Sequence, residues 1–373
     1  MKRPAIALLG AALLISAGAA PASATPLPYT VIASGLHNPR GLAFGSEGRL
    51  YVAEAGLGAG NPTDGVIEGF GLTGQITQIS RLRSSSPRIR VVASGLPSAA
   101  NSDGVVGASG ISTRGEGNIL VQIGLSQVQT GIPNDQLGRL LRVSRNGSVH
   151  AVANIGDFDY AWSTQHQDLA PHDFTPGDAN PYGVLSTARG AYVVDAGTNT
   201  LDWVSRSGQV KILAYFPNNT MADATPTCVT RGPDGALYIG TLAFVDSLGS
   251  ILDPHLPPPN PSAVVYRVDP RAADPDSLPT VLSLATPWAT SLWPITGCAA
   301  SRTTFYASQF IAGVGQTGPF GDVVAIPFAD PSQHTSLTSG MLAFPGGVAI
   351  GPDHHVYVAN MSTSANGQVV RLP

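Results

Sequence analysis

Two carboxylates and several side-chain amides occupy similar positions at the edges of short strands that recur along the chain. Glu54 and Asp195 each end a strand, and carboxylate oxygens are ligands that hard cations such as Ca²⁺ prefer. The other candidate ligand-binding residues are amides, a guanidinium and a phenol: Asn38, Arg40, Asn180, Tyr182, Gln309 and Asn360. The set predicts a small-ligand or divalent-cation site with Glu54 and Asp195 as metal ligands. The alternative is a water-filled channel lined by ordinary polar groups.

A second group of titratable residues lies between residues 157 and 180. Five aspartates alternate with two histidines, without a basic residue: Asp157, Asp159, His166, Asp168, His172, Asp173 and Asp178. The segment lacks the regular carboxylate spacing and central glycine of a calcium loop, so it predicts a solvated acidic lid. His172 and Asp173 would form a base and its orienting partner only if the fold brings another group to them.

Motifs that would name a reaction are absent from the sequence. It has no Gly-x-Ser-x-Gly elbow, no paired-histidine zinc helix and no phosphate-binding loop. The residues therefore suggest binding chemistry without naming a catalytic mechanism.

Six short runs of residues must position these side chains. Each run is rich in aromatic or β-branched residues and follows a Gly-rich turn. They are Leu50–Glu54, Ile119–Ile123, Ala191–Asp195, Leu237–Thr241, Phe305–Gln309 and Val356–Asn360. The chain of 373 residues contains 43 Gly and 31 Pro with only 12% charged residues, a composition typical of many short strands and tight turns. Helical periodicity is absent, and the repeat predicts an all-β, six-bladed β-propeller of four-stranded meanders.

Blade one shows the repeating unit most clearly, with strands at 41–44, 50–54, 75–80 and 90–93. The fourth strands of the next four blades are predicted at 149–154, 210–214, 280–284 and 337–342. The intervals between successive units are uneven. We therefore expect surface insertions at 56–74, 157–180 and 241–262.

One further copy of the fourth strand lies at the start of the propeller. Residues 31–36 resemble 90–96 but have no first three strands before them, while the last blade lacks an outer strand after 368–372. The N-terminal strand is therefore predicted to close the last blade, which removes the open sheet edge.

Antiparallel pairing of first and second strands predicts a set of polar pairs at one rim of the central channel. The expected pairs are Arg40 with Glu54, Tyr182 with Asp195, Thr227 with Thr241, Thr296 with Gln309 and Gly346 with Asn360. Blade two is the exception, where Asp103 is expected near Gln122 and Ile123.

The two cysteines occupy the second position in the first strands of blades four and five. Cys228 and Cys298 would come close if those strands approach near the axis. Two outcomes remain open: a disulfide, or two buried apolar thiols.

The N-terminus has the pattern of an export signal. Lys2 and Arg3 precede an apolar stretch, and Ala22-Ser23-Ala24 fits a small-x-small cleavage site, so residues 1–24 are predicted to be removed. Residues 25–373 would form one secreted, monomeric propeller domain. The net charge is −4 without a cluster of basic residues in the sequence, which argues against nucleic-acid binding, and no segment is predicted to span a membrane.

Several motifs together resemble the ScyD/ScyE family of exported bacterial proteins, over nearly all of the mature chain. They are LHNPRGLAF at 36–44, LYVAEAG at 50–56, GRLLRV at 138–143, DANPYG at 178–183, GPDGALY at 232–238 and FPGGVAI at 344–350. The resemblance implies a secreted six-bladed propeller akin to NHL and gluconolactonase-like folds, without an established mechanism. A cysteine that the resemblance leads us to expect within 56–74 is missing, so no local bridge is implied there.

The leading interpretation is a propeller whose channel rim binds a small molecule, a cation such as calcium, or a partner segment. The alternative is a metal-assisted hydrolase or lyase: the resemblance to gluconolactonase-like propellers implies a Glu, two Asn and an Asp around a metal, and Glu54 matches only the first. A third is an interaction platform for an envelope protein. A propeller fold alone does not separate these three functions.

Overall fold

The computed structural model describes residues 28–60, 68–102, 104–114, 118–169, 177–217, 224–243, 249, 259–312, 314–315 and 318–373. Its strands form six antiparallel sheets arranged as the blades of a β-propeller, which confirms the predicted fold. The predicted signal peptide, residues 1–24, lies outside the described residues.

Blade one has five strands, and blades two and three have four each. In chain order the strands are β1 Thr30–Leu36, which joins blade six; β2 Pro39–Phe44, β3 Leu50–Glu54, β4 Gly69–Ser80, β5 Arg88–Asn101 and β6 Gly104–Val106 in blade one; β7 Ala108–Thr113, β8 Ile119–Ile123, β9 Arg139–Val143 and β10 Val149–Asn154 in blade two; and β11 Pro181–Ser186, β12 Gly190–Asp195, β13 Thr200–Ser205 and β14 Val210–Tyr215 in blade three.

Blades four to six complete the ring. Their strands are β15 Pro226–Arg231, β16 Leu237–Thr241, β17 Ala263–Val268 and β18 Thr286–Leu292 in blade four; β19 Ile295–Ala300, β20 Thr304–Gln309, the added hairpin β21 Val314–Gly315 and β22 Gly318–Pro319, then β23 Asp322–Pro327 and β24 Thr335–Ser336 in blade five; and β25 Val348–Ile350, β26 Val356–Asn360 and β27 Gly367–Arg371 in blade six. The helices in the described ranges are α1 Gln127–Thr130, α2 Ile155–Gln165 and α3 Leu278–Ser283, with a 3₁₀ turn at Gln167–Leu169.

The strands bury both faces because each blade packs between two others. In β3, Leu50 and Val52 join a cluster with residues of blade six, whereas Ala53 joins a cluster with residues of blade two. Gly48, at φ +67°, completes the turn before this strand in a conformation that favours glycine. Apolar clusters of this kind fill the spaces between successive blades and hold the ring together.

The N-terminal strand closes blade six, as predicted. β1 pairs antiparallel with β27, from Thr30 opposite Arg371 to Leu36 opposite Gly367. Blade six therefore consists of β25, β26 and β27 with β1 as its outer strand.

The predicted facing pairs at the rim are wrong by one residue, because the first strands contain a β-bulge. Pro39, not Arg40, lies opposite Glu54. In three other blades, the residue before the predicted one lies opposite the end of the second strand. The observed pairs are Pro181 with Asp195, Pro226 with Thr241 and Ile295 with Gln309. In blade six, β25 begins at Val348, so Gly346 does not form a strand pair with Asn360. A bulge adds one residue to one strand and redirects its side chain.

Two predicted outer strands are also wrong. Residues 280–284 lie mostly in helix α3, where Pro279 at the first turn favours a helix, and β18 is the fourth strand instead. Residues 337–342 contain only a bridge between Leu342 and Gly321, and the outer strand of blade five is the short β24. In blade one, β4 and β5 are longer than predicted, so part of the expected 56–74 insertion is strand.

Cys228 and Cys298 form a disulfide between the first strands of blades four and five. Their Cα atoms are 5.7 Å apart, and the bridge closes a segment of 70 residues. Of the two outcomes that the sequence left open, the structure contains the bridge.

Candidate functional site

The first strands of the six blades surround the channel. The residues that begin these strands contact those of the neighbouring blade. A Cβ at Gly41 would lie 2.4 Å from the Ser109 carbonyl oxygen, and one at Gly110 would lie 2.3 Å from that of Tyr182. The glycines are therefore required by the close approach of neighbouring backbones. The Gly347 N–H donates to the Arg40 carbonyl at 2.5 Å, which links blade six back to blade one.

In three blades the bulge residue carries a hydroxyl that ties the ring together. Ser109 Oγ donates to the Tyr182 carbonyl at 3.1 Å, Thr227 Oγ1 to Ile295 at 2.6 Å, and Thr296 Oγ1 to Pro345 at 2.6 Å. Each bond joins one blade to the next. At these positions the polar side chain has a structural role.

Arg40 and Tyr182 occupy the corresponding position in blades one and three but have long side chains. The Arg40 guanidinium lies beside the Tyr182 hydroxyl, and its Nη2 donates to the Val105 carbonyl at 2.8 Å. Burial raises the pKa of Tyr182, and the nearby Arg40 charge partly offsets that effect. The structure thus brings these two predicted residues together across blade two.

Arg40 is a buried cation that forms no ion pair with a carboxylate of the described residues. Its exposed fraction is 3%. Besides its bond to Val105, the guanidinium forms a hydrogen bond with the Tyr182 side chain. A guanidinium offers five N–H groups in a fork geometry that suits a carboxylate or phosphate.

Glu54 is held by donors from its own blade. Oε2 accepts from the His37 N–H at 2.6 Å, and Oε1 accepts from the Thr77 hydroxyl and from Gln75 Nε2. Burial raises the pKa of Glu54, and these hydrogen bonds act in the opposite direction. The carboxyl therefore fastens the loop that enters β2.

The remaining predicted residues make similar local bonds. Asn360 Oδ1 accepts from the Ala343 N–H at 2.9 Å, Asn180 Oδ1 accepts from Leu125 N–H at 3.2 Å, and Asn38 Nδ2 donates to Gly56 at 2.8 Å. Gln309 is buried at the end of β20, opposite Ile295 and Asp322. Asn38, at φ 53°, is held in a strained backbone conformation by its loop. The structure does not bring these residues together around one point.

The sequence did not single out a group of three buried carboxyls between blades two and three. Asp195 and Asp202 lie on the face of blade three that packs against blade two, and Asp159 reaches them from α2. All three have an exposed fraction of 0%. Asp195 Oδ1 accepts from the N–H groups of Asn180, Gly197 and Thr198, whereas its Oδ2 and all four oxygens of the other two lack a donor.

Burial raises the pKa of all three carboxyls and so favours their neutral form. Burial, followed by repulsion from Asp202 and Asp195, raises the pKa of Asp159 well above its ordinary value. Burial and the charge of Asp195 do the same for Asp202, and burial raises the pKa of Asp195 to about 6. A proton on Asp159 can be shared with its two neighbours. In the part of the chain that the structure describes, no group of three or more His, Cys, Asp or Glu side chains is arranged to hold a metal.

The predicted acidic lid is therefore only partly correct. Asp159 is fully buried instead of solvated, and Asp157 accepts from Ser126, Asn154 and the Val128 N–H at the start of the two helices. Asp168 is exposed, as expected for a lid. Asp103, His172 and Asp173 lie outside the described residues, so their predicted roles stay predictions.

No protein-family model matches the chain, and no curated protein matches it. Among solved structures, a candidate oxidoreductase (glucose dehydrogenase) from Thermus thermophilus aligns at 14% identity and TM-score 0.51, covering 93% of this chain and all of that one. A luciferin-regenerating enzyme aligns at 11% identity and TM-score 0.50, covering 90% and 92%. A candidate gluconolactonase gives 10% identity and TM-score 0.48, covering 92% and 91%.

The first two likenesses agree with the propeller fold and extend no further at such identities. None of the described helices is long and apolar enough to cross a membrane.

Proposed function

We propose that the protein is an exported propeller of the ScyD/ScyE type that binds a small carboxylate-bearing molecule at the mouth of its channel. The observation that carries this proposal is Arg40, a buried guanidinium with one bond to a backbone carbonyl and no carboxylate partner in the described residues. Uncompensated charge in a protein interior is costly, on the order of several kcal/mol per ion. A ligand carboxylate would compensate it.

The chemistry of the channel mouth supports an anion. Arg40 can offer two parallel N–H groups to a carboxylate, and the Tyr182 hydroxyl beside it adds a further donor. The bulges in β2 and β11 place both side chains at the ring of strand starts, on a rigid scaffold. The Cys228–Cys298 disulfide is typical of proteins in an oxidising compartment and so supports export.

The metal-assisted hydrolase or lyase is less well supported. Glu54 and Asp195 belong to blades one and three, and both Glu54 oxygens already accept hydrogen bonds from protein groups. A metal at this pair would have to displace those donors.

Thermal unfolding with simple carboxylate salts tests the proposal. We expect acetate, benzoate or citrate to raise the Tm of the protein above its value in sodium chloride of equal ionic strength, because a ligand that binds only the folded state stabilises it. Arg40→Met should abolish that rise. Tyr182→Phe should weaken binding about tenfold, the effect of losing one hydrogen bond to a charged group.

The matched control is Thr296→Val, which alters the bulge residue of blade five and removes its bond to Pro345. Carboxylate binding should be unchanged in this variant. The proposal fails if no carboxylate acts differently from chloride, or if Arg40→Met binds as well as the unaltered protein.

A further inference from the structure

Arginines from distant parts of the sequence line a groove between blades one and two. The groove has a volume of about 340 Å³, and its cationic residues are Arg49, Arg88, Arg90 and Arg145. Arg88 and Arg90 project from the outer strand β5, where they pair with Ser80 and Gln78 of β4. Hydroxyl and amide groups of Ser46, Tyr51 and Gln78 complete its polar lining.

A second groove lies on the other side of blade two. It has a volume of about 670 Å³, and its cationic residues are Arg114, Arg142 and Arg206. Ile119 lines the first groove and Leu120 the second, so the two are separated by strand β8. Arg114 Nη1 bonds to the Thr187 carbonyl at 3.2 Å, and Arg206 Nη2 bonds to the Ala188 carbonyl.

Arginines outnumber carboxylates among the described residues that line these two grooves. Four cations elsewhere pair with aspartates: Arg83 with Asp353, Lys211 with Asp276, Arg267 with Asp234 and Arg271 with Asp269. Among the described residues that line the two grooves, Glu47 is the one carboxylate, and it pairs with Arg49. An acidic protein thus concentrates positive charge on one surface, which the linear sequence did not reveal.

The grooves lie at the opposite end of the blades from the channel mouth. β2 begins at Pro39, beside Glu54, and ends at Phe44, beside the turn that lines the first groove. Arg114 and Asn118, between the first two strands of blade two, and the equivalent turn of blade three at 187–190 border the second groove. A ligand here would be independent of the one proposed at Arg40.

We propose that these two grooves bind one acidic polysaccharide across the edge of blade two. Guanidinium groups pair with carboxylate and sulfate groups through two parallel N–H bonds, and neighbouring grooves suit anionic groups repeated along a flexible chain. The serine, threonine, asparagine and glutamine groups of the lining can bond to sugar hydroxyls. A single-stranded nucleic acid is less suitable because stacking platforms are few: Tyr51 is the one aromatic residue among the described lining residues.

Binding of heparin and of polygalacturonate, measured by calorimetry at low salt, tests the proposal. We expect both to bind, neutral dextran not to bind, and the affinity to fall steeply between about 50 and 200 mM salt. Arg90→Gln and Arg142→Gln should each weaken binding about two- to fivefold, as for exposed charge pairs, and the double variant about tenfold or more.

Arg302→Gln is the matched control. Arg302 is exposed on the β19–β20 turn, at the same end of the propeller but in blade five, and its loss changes the net charge equally. It should leave the affinity within twofold, and so should Arg40→Met at the channel mouth.

Four results would overturn the proposal. The first is that neither polysaccharide binds. The second is that Arg302→Gln and Arg90→Gln lower the affinity equally, which would indicate a general charge effect. The third is equal binding of neutral dextran. The fourth is tighter binding of a single-stranded oligonucleotide than of heparin, which would indicate a nucleic-acid surface.

Discussion

The carboxyl of Asp159, on helix α2, lies against the carboxyl of Asp195, at the end of β12, in a fully buried cluster. Burial raises the pKa of both, and Asp202 adds a third carboxyl. In the unfolded chain each group ionises near pH 4. Between that pH and about 6, the folded state binds more protons at Asp195 than the unfolded state does, so this cluster lowers stability as the pH rises.

The substitution Asp159→Asn should therefore stabilise the protein at pH 7.5. The amide donates hydrogen bonds to Asp195 and Asp202 without requiring a proton, and we expect a gain of about 2 kcal/mol in the free energy of unfolding, the usual size of a hydrogen bond to a charged group. The gain should shrink as the pH falls and vanish at about pH 4. Urea unfolding at a series of pH values measures both.

Asp157→Asn is the control on the same helix. Although partial burial acts to raise its pKa, bonds from Asn154, Ser126 and the Val128 N–H lower the pKa of Asp157 below its ordinary value. This variant should thus lose stability at neutral pH and lose less as the pH falls. If Asp159→Asn instead lowers stability at pH 7.5, and millimolar Ca²⁺ raises the Tm of the unaltered protein only, the cluster holds a cation instead of protons.

Arg40→Met should leave the stability of the protein unchanged or raise it. Replacing a buried charge by an apolar side chain of similar volume is often neutral or stabilising, whereas breaking a buried ion pair costs about 3–5 kcal/mol. Urea midpoints distinguish the two cases. Thr296→Val, which removes one bond to a carbonyl, should cost about 1 kcal/mol. A loss above 3 kcal/mol in Arg40→Met would mean that a carboxylate outside the described residues pairs with it.

The fold followed from the sequence because its signals are repeated. Six Gly-rich turns with β-branched runs predicted the blades, and the likeness of residues 31–36 to 90–96 predicted the closing strand. The predicted rim pairs were wrong because a β-bulge adds one residue to a strand without any change in the hydrophobic pattern. Arg40 could thus be predicted as a candidate residue, although its contact with Tyr182 could not.

The buried carboxyls and the arginine grooves were not predictable for a related reason. Asp159 and Asp202 are 43 positions apart in the numbering, and Asp202 looks like a solvated residue of a third strand until α2 covers it. Arg90 and Arg145 are likewise distant in sequence and meet only because blades one and two pack side by side. Groups assembled by packing between blades leave no local pattern in the sequence.

Removing the Cys228–Cys298 bridge should lower the free energy of unfolding. The bridge closes 70 residues, and loops of that length correspond to about 4 kcal/mol in the chain-entropy model, with a usual range of 2–4. The double variant Cys228→Ala and Cys298→Ala, compared with the oxidised protein by urea unfolding, measures the loss. The fully reduced protein should resemble the variant. Two reactive thiols in denatured, unreduced protein would contradict the bridge.

Closure of the ring buries the inward residues of β1 and leaves its outward residues exposed. Leu36 is 3% exposed and packs with Tyr357 and Val369 of blade six, whereas Val31, in the same strand, is 44% exposed. Leu36→Ala should lower the free energy of unfolding by about 2–5 kcal/mol through lost burial and a cavity. Val31→Ala, its control, should change it by less than about 0.5 kcal/mol, as surface substitutions usually do. Since both variants keep the backbone ladder with β27, equal effects would indicate that the strand does not pack onto blade six.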